Sequence, residues 1–226
     1  MALSDGLIAY YKANESSGNS ADSIGDKTLT NSNAGFNTGK FGNALDFGTS
    51  NTNKKFQYVG SYDIGASDSW SLVWWYYNSD SSKGLQGLLD FCYAGGTKIV
   101  TVQRDVSQNS LYTQSGAYNS ALQGVSSEST GQWHQIIVTC DAGGNVLWYK
   151  DNSYLGAVTN SGTVTRTEAL SIGYSSVGPW WGLGRNDEIL IYDRVITSDE
   201  RAELYNSGNG KEISLGNPSA FFQLFN

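Results

Sequence analysis

Residues 178–193 read GPWWGLGRNDEILIYD, and the adjacent carboxylates Asp187 and Glu188 behind two tryptophans are the part of the chain best equipped for chemistry. Two acids can cleave a glycosidic bond if both reach one surface, about 5 Å apart for a retaining mechanism. Successive side chains of a strand point to opposite faces, so same-face partners stand at i+2 or i+4. On that pattern Asp187 shares a face with Ile189 and Ile191, and Glu188 with Leu190 and Tyr192, so the pair is expected to diverge. The one histidine, His134, opens an apolar run beside Trp133, where a structural role is the commoner one. With a single His and no Cys pair, a nucleophile with its base has little material. The expectation is a protein that is not an enzyme.

Binding is better supplied. Aromatic rings stack on the apolar faces of sugar rings, while amides, carboxylates and guanidinium groups take the hydroxyls. The turn-rich segments 93–97, 111–124 and 175–186 offer Tyr93, Tyr112, Tyr118, Asn119, Trp180 and Arg185 as the candidate ligand-binding set. Trp180, after Pro179, is the expected exposed platform. Trp133 and Trp148 lie in apolar runs and are assigned to the core, and within WSLVWWYYN alternation must turn one aromatic pair inward and the other outward.

The elements that would position these residues are short and extended. Segments 6–13, 43–48, 57–61, 70–78, 85–94, 98–104, 110–114, 133–141, 145–152, 153–159, 169–174 and 188–194 are rich in β-branched and aromatic residues and separated by turn signals. That spacing predicts an all-β, two-sheet antiparallel sandwich. AGGN at 142–145 and KDNS at 150–153 predict hairpin turns, making 133–159 a three-stranded meander. TSDERAELYNSG predicts one short C-terminal helix, with Thr197 and Glu200 as a capping box, an apolar side of Ala202, Leu204 and Tyr205, and Gly208 as its stop. The last residues end in Phe221, Phe222, Leu224 and Phe225, an apolar cluster suited to docking on the domain itself or on a partner.

Composition sets outer bounds. The 226 residues carry 27 Gly and 2 Pro, 13% aromatic and 15% charged residues, and a net charge of −7, which describes a polar, weakly charged surface over an aromatic core. The negative charge and the absence of Lys/Arg clusters argue against nucleic acid as a partner. No apolar run is long enough for a membrane span, and no signal peptide is visible in MALSDGLIAYYKANE. Cys92 and Cys140 fit as small buried apolar residues, with one bridge as the alternative.

The order GLIAYYKANESSGNSADSIGDKTLTN, GKFGNALDF, WSLVWWYYN, GQWHQIIVTCDAGGNVLWYKDNSYLGAV, LSIGYSS and WWGLGRNDEILIYDRVITSDERAELY resembles the laminin-G-like jelly-roll domains of the concanavalin A-like lectin and glucanase superfamily. The match runs over about residues 5–206, which implies residues 1–208 as one concanavalin A-like jelly-roll domain and 209–226 as a C-terminal tail. The family's usual Tyr is here Cys140, and its usual IDE is NDE with Asn186. The E-x-D-x-E arrangements of the superfamily's hydrolases do not occur. The resemblance places Trp181 in the core and implies a structural Ca²⁺ held by Asp22 of ADSIGDKT and Asp187; the residues alone equally allow Asp22 to cap a turn and Asp187 to meet an arginine. It also implies a non-catalytic lectin-like domain for glycans or cell-surface polysaccharide, extracellular or on a virion surface. The alternative is a decoration protein of a virus or phage particle held to other virion proteins through residues 211–226.

Overall fold

The computed structural model describes residues 2–49, 53–64, 68–79, 86–92, 98–105, 110–116, 129–159, 169–175 and 180–215. Sixteen strands run in chain order: β1 Leu7–Tyr11, β2 Thr30–Ser32, β3 Gly35–Thr38, β4 Asn43–Gly48, β5 Lys55–Val59, β6 Trp70–Tyr77, β7 Gln86–Cys92 and β8 Lys98–Asp105. They continue as β9 Ser110–Gly116, β10 Trp133–Cys140, β11 Asn145–Lys150, β12 Ser153–Thr159, β13 Ala169–Ile172, β14 Tyr174–Ser175, β15 Trp180–Trp181 and β16 Gly184–Tyr192, followed by helix α1 Ser198–Tyr205. The predicted all-β sandwich with one short helix is what the chain forms. An eight-stranded sheet is ordered β12-β11-β10-β6-β16-β4-β3, with β1 also paired to β16, and it faces a six-stranded sheet ordered β2-β5-β13-β7-β8-β9. Every strand pairing is antiparallel.

Alternation decides what lies between the sheets. In β6, Trp70, Leu72, Trp74 and Tyr76 point into the main core, where they meet Phe56 of β5, Phe91 of β7 and Leu170 and Ile172 of β13. Trp70 and Phe91 join the sheets edge to face at 6.3 Å, as do Phe47 and Phe56 at 6.2 Å. Burying each such ring contributes about 1.5–3 kcal/mol. Trp148 belongs to this core as expected, but Trp133 does not: it is half-buried and packs on Tyr77 at 5.3 Å on the far side of the eight-stranded sheet. Cys140 is a buried thiol that donates to the Asp141 carbonyl and whose pKa is pushed up to about 12, chiefly by burial.

The opposite face of the eight-stranded sheet has its own apolar layer. Val73, Ile137, Leu190 and Tyr192 lie beneath Ile196, Leu204 and Ile213, with Leu215 packed alongside. The described part of the tail therefore docks on its own domain; residues 216–226, including the phenylalanine cluster, lie outside the described residues. Beneath α1, Trp75 stacks on Tyr205 at 6.0 Å. The helix begins as its sequence predicts, with the complete Thr197–Glu200 capping box, but the left-handed residue that ends it is Asn206 rather than Gly208, and Ala202 is exposed.

Glu200 does two jobs. It accepts from the Thr197 backbone N–H at 2.8 Å and takes a bidentate pair from Arg194 at 2.7 and 2.8 Å, and the guanidinium holds its pKa down at about 2. Glu200→Ala is expected to cost about 2–4 kcal/mol, because it removes a cap and leaves a partly buried Arg194 without its partner. Urea unfolding of the variant measures this, and a loss under about 0.5 kcal/mol would contradict the account.

Candidate functional site

The carboxylates do not diverge. Opposite β6, Asp187 pairs with Trp75 and Leu190 with Val73, so two residues, Glu188 and Ile189, stand opposite Trp74 alone. The extra residue is accommodated at Glu188, whose φ is +50°, in the left-handed region that non-glycine residues seldom occupy. The bulge resets the alternation: Ile189 and Ile191 enter the main core, while Asp187, Glu188, Leu190 and Tyr192 share the face beneath α1. Nothing in the letters NDEIL announces an extra residue.

Sharing a face does not make the pair a catalytic dyad, because both acids are sealed. Asp187 is 0% and Glu188 2% exposed. Asp187 accepts three backbone N–H bonds, from Lys40 at 2.7 Å, Phe41 at 3.0 Å and Glu188 at 2.9 Å. This explains part of GKFGNALDF: a Cβ on Gly39 would stand 2.6 Å from Asp187 Oδ2 and 2.4 Å from the Asn43 carbonyl, so only glycine lets the 39–42 turn close on the carboxylate. Glu188 Oε2 accepts from the Tyr10 hydroxyl and so ties β1 to β16. The covering layer is Lys40, whose Nζ lies 4.4 Å from the Trp75 ring and donates to the Gly208 carbonyl, together with Tyr205 and Gly210.

Asp22 and Asp187 are not brought together. Tyr10 donates its N–H to Asp22 Oδ1 and accepts from Ser23 N–H with its carbonyl, so residues 22–23 cover the edge of β1 away from β16. Asp22 Oδ1 also accepts from Ile24 N–H, the turn-capping alternative. Backbone N–H donors occupy both oxygens of Asp187 and Oδ1 of Asp22, whose Oδ2 is buried without a hydrogen-bond partner, and among the described residues no cluster of three or more His, Cys, Asp or Glu could hold a metal ion. Asp22 and Asp187 do not converge as a shared pair of Ca²⁺ ligands.

His134 has companions the sequence did not reveal. Its Nδ1 lies 2.6 Å from Asp151 Oδ2 and its Nε2 3.2 Å from Ser129 Oγ, the order of an acyl-transfer triad. Yet Ser129 Oγ also bonds Gln132 Oε1 at 2.8 Å, Asp151 Oδ1 holds Gln135 N–H, and the nearby Gly131 N–H is used on the Asn78 carbonyl rather than free for an oxyanion. The three residues tie the 129–132 loop to the turn after β11.

The candidate ligand set is dispersed. Tyr93, Tyr118 and Asn119 lie outside the described residues, and Tyr112 falls on β9, the edge strand of the six-stranded sheet. Arg185 sits on the other sheet, 4.3 Å from the Tyr77 ring, and donates to the Thr38 carbonyl at 2.5 Å. Trp180 is half-buried in the β14–β15 hairpin, which lies against β7: a Cβ on Gly87 would come within 2.3 Å of Ser175 N and 2.6 Å of the Trp180 carbonyl. Trp181 is not in the core. It is half-buried and packs 4.6 Å from the Tyr174 ring.

What the fold does assemble is a polar row across the six-stranded sheet. Register places Thr30 beside Gln57, Gln57 beside Ser171, Ser171 beside Asp90, Asp90 beside Thr101 and Thr101 beside Gln114. Gln57 alternates with core residue Phe56, so Lys55, Gln57 and Val59 point away from the core. At the β2–β5 edge a groove of about 430 Å³ is lined by Thr28, Thr30, Ser32, Gln57, Tyr58 and Val59. Beside it, Lys55 Nζ donates to Gln57 Oε1 at 2.8 Å and lies 5.3 Å from the ring of Tyr174, which packs on Trp181. The residues of the row are not legible together in the sequence because they come from six different strands; the available signal is one polar letter between apolar ones in KFQYV, ALSI and LLDF.

Two outcomes follow for the carboxylates. Burial raises Asp187 from the ordinary carboxylate range to about 7 and Glu188 to about 8. An acid whose folded pKa is raised favours the folded state while protonated, so this stability is present below about pH 4 and is lost as pH rises through 7–8. Tm is expected to fall between pH 5 and 8.5, and Glu188→Gln should flatten the fall; a parallel curve would refute the assignment. EDTA should leave Tm unchanged, and a drop reversed by Ca²⁺ would overturn the reading of Asp22 and Asp187.

No protein-family model and no curated protein matches the sequence. Solved structures do match its fold. Trypanosoma rangeli sialidase is similar at TM-score 0.72 and 17% identity over 92% of this chain, which spans only 34% of that protein. Domain 4 of AbnA, a GH43 extracellular arabinanase from Geobacillus stearothermophilus, in complex with arabinotriose, is similar at TM-score 0.69 and 16% identity over 91% of this chain and 98% of its own. The binding domain of botulinum neurotoxin DC in complex with SialylT is similar at TM-score 0.66 and 13% identity, over 91% of this chain and 52% of that one. At these identities the shared feature is an all-β fold.

Proposed function

We propose that this chain is a non-catalytic glycan-binding domain, a laminin-G-like jelly roll of concanavalin A-like type acting outside a cell, whose ligand lies at the β2–β5 edge of the six-stranded sheet. One observation carries the reading: the hydroxyl and amide side chains of Thr28, Thr30, Ser32 and Gln57 line a groove, and Lys55, bonded to Gln57, lies beside it against the Tyr174 ring, which packs on Trp181. That is the makeup of a sugar site, with polar groups for hydroxyls and a ring face for the pyranose. Two of the similar folds, AbnA domain 4 and the neurotoxin binding domain, are held in complex with arabinotriose and SialylT, which supports a carbohydrate partner. The non-catalytic part rests on the burial of Asp187 and Glu188 beneath the 205–213 segment, where no substrate reaches them.

The groove belongs to a rigid sheet, so binding should require little rearrangement. Tyr174→Ala and Trp181→Ala are each expected to weaken oligosaccharide binding by about 3–10-fold, equivalent to about 0.5–1.5 kcal/mol of ring contact. Isothermal titration against a panel of arabino-, gluco- and uronic-acid oligosaccharides reads the effect, with Tm as the control for folding. Binding that survives the double variant at full strength would displace the site, and release of reducing sugar from any panel member would overturn the non-catalytic reading.

A further inference from the structure

We infer that the groove is selective for a carboxylate-bearing glycan, the acid group being taken by Lys55 Nζ; this rests on the glycan-binding reading above. In a chain of net charge −7, Lys55 stands on the outward side of β5 with two neighbours, the Gln57 amide oxygen at 2.8 Å and the Tyr174 ring at 5.3 Å. Among the described residues no carboxylate pairs with it, whereas Lys12, Arg194 and Lys211 each have an acid partner. An ammonium held against a ring face and one neutral amide keeps donors for a ligand, and a ligand carboxylate gives it a charge-assisted hydrogen bond that a sugar hydroxyl does not match.

The surrounding groups favour the same ligand. Register sets Ser32 beside Lys55 and Thr30 beside Gln57, so hydroxyls and an amide flank the cation along the groove. Gln57 uses its oxygen on Lys55, which orients its NH₂ group outward as a further donor. Tyr174, packed 4.6 Å from Trp181, places aromatic surface beside the ammonium, where the sugar ring that bears the acid would lie. A neutral glycan would engage the hydroxyls and the ring but leave the ammonium without a counter-charge. Uronic and sialic acids present the shared chemistry, a carboxylate on a pyranose.

The test compares a triuronate with its carboxyl-reduced counterpart, and a sialylated trisaccharide with its methyl ester, by titration at low salt against the native chain, Lys55→Gln and Tyr174→Ala. The acidic member of at least one pair should bind tenfold or more tightly than its neutral partner, the preference should shrink with added salt, and Lys55→Gln should abolish it while keeping the weaker neutral affinity. The pair that shows the preference identifies the source. Equal binding of acidic and neutral members, unchanged in Lys55→Gln, overturns this inference and leaves the glycan site intact. Loss of nothing in Tyr174→Ala, or no binding by any of the four sugars, overturns the site itself.

Discussion

Between Asp187 and Leu190, β16 carries one residue more than its neighbour β6, and the left-handed turn of the backbone at Glu188 absorbs it. The rest of the sandwich is arranged around that displacement. Without it, Ile189 and Ile191 would leave the main core and the acids would part. With it, Asp187 gathers the backbone N–H groups of the 40–41 turn while Glu188 receives the Tyr10 hydroxyl, so two carboxylates fasten β1 and the β3–β4 hairpin to the same strand. Burial of this kind raises both pKa values; three backbone N–H donors compensate Asp187, whereas Glu188 has the Tyr10 hydroxyl on Oε2 and an Oε1 buried without a partner.

The two outer faces are covered differently. Over the eight-stranded sheet, α1 and the 206–215 segment build a second apolar layer of Trp75, Tyr205, Leu204 and Ile213 that seals the two acids, with a cavity of about 310 Å³ at its rim between residues 2–4 and 211–214. Over the six-stranded sheet, the polar row begins at exposed Thr30, while Ser171 and Asp90 at its centre are buried, so the row is accessible at the β2–β5 edge. A partner needs accessible groups, and the groove, the Lys55 ammonium beside it and the Tyr174–Trp181 pair lie together at that edge.

The sequence indicated how much of the fold would be strand, and the physical cause is plain. The runs NALDFG and SYLGAVT form strands with the expected bounds, because β-branched and aromatic residues between turn signals constrain the local backbone. The capping box of α1 was equally legible, since its partners are three residues apart. The short strands β2 and β3 are not legible in the sequence because TNS and GFNT are polar and glycine-bearing, and they pair through neighbours instead of propensity. Loops with visible aromatics put Arg185 and Trp180 close together in sequence, although the two stand on different sheets.

By itself the sequence determined the all-β class, the meander of β10, β11 and β12, the single capped helix and the split of the β6 aromatics between two faces, all of which follow from contacts within a few residues or from period-two alternation. Only tertiary structure decided that Asp187 and Glu188 share a face, that Asp22 serves β1 instead of Asp187, that Trp133 and Trp181 lie outside the core, and that Thr30, Lys55, Gln57 and Tyr174 meet. The reason is strand register: a one-residue bulge inverts every later side chain, and neighbours across a sheet come from distant parts of the chain.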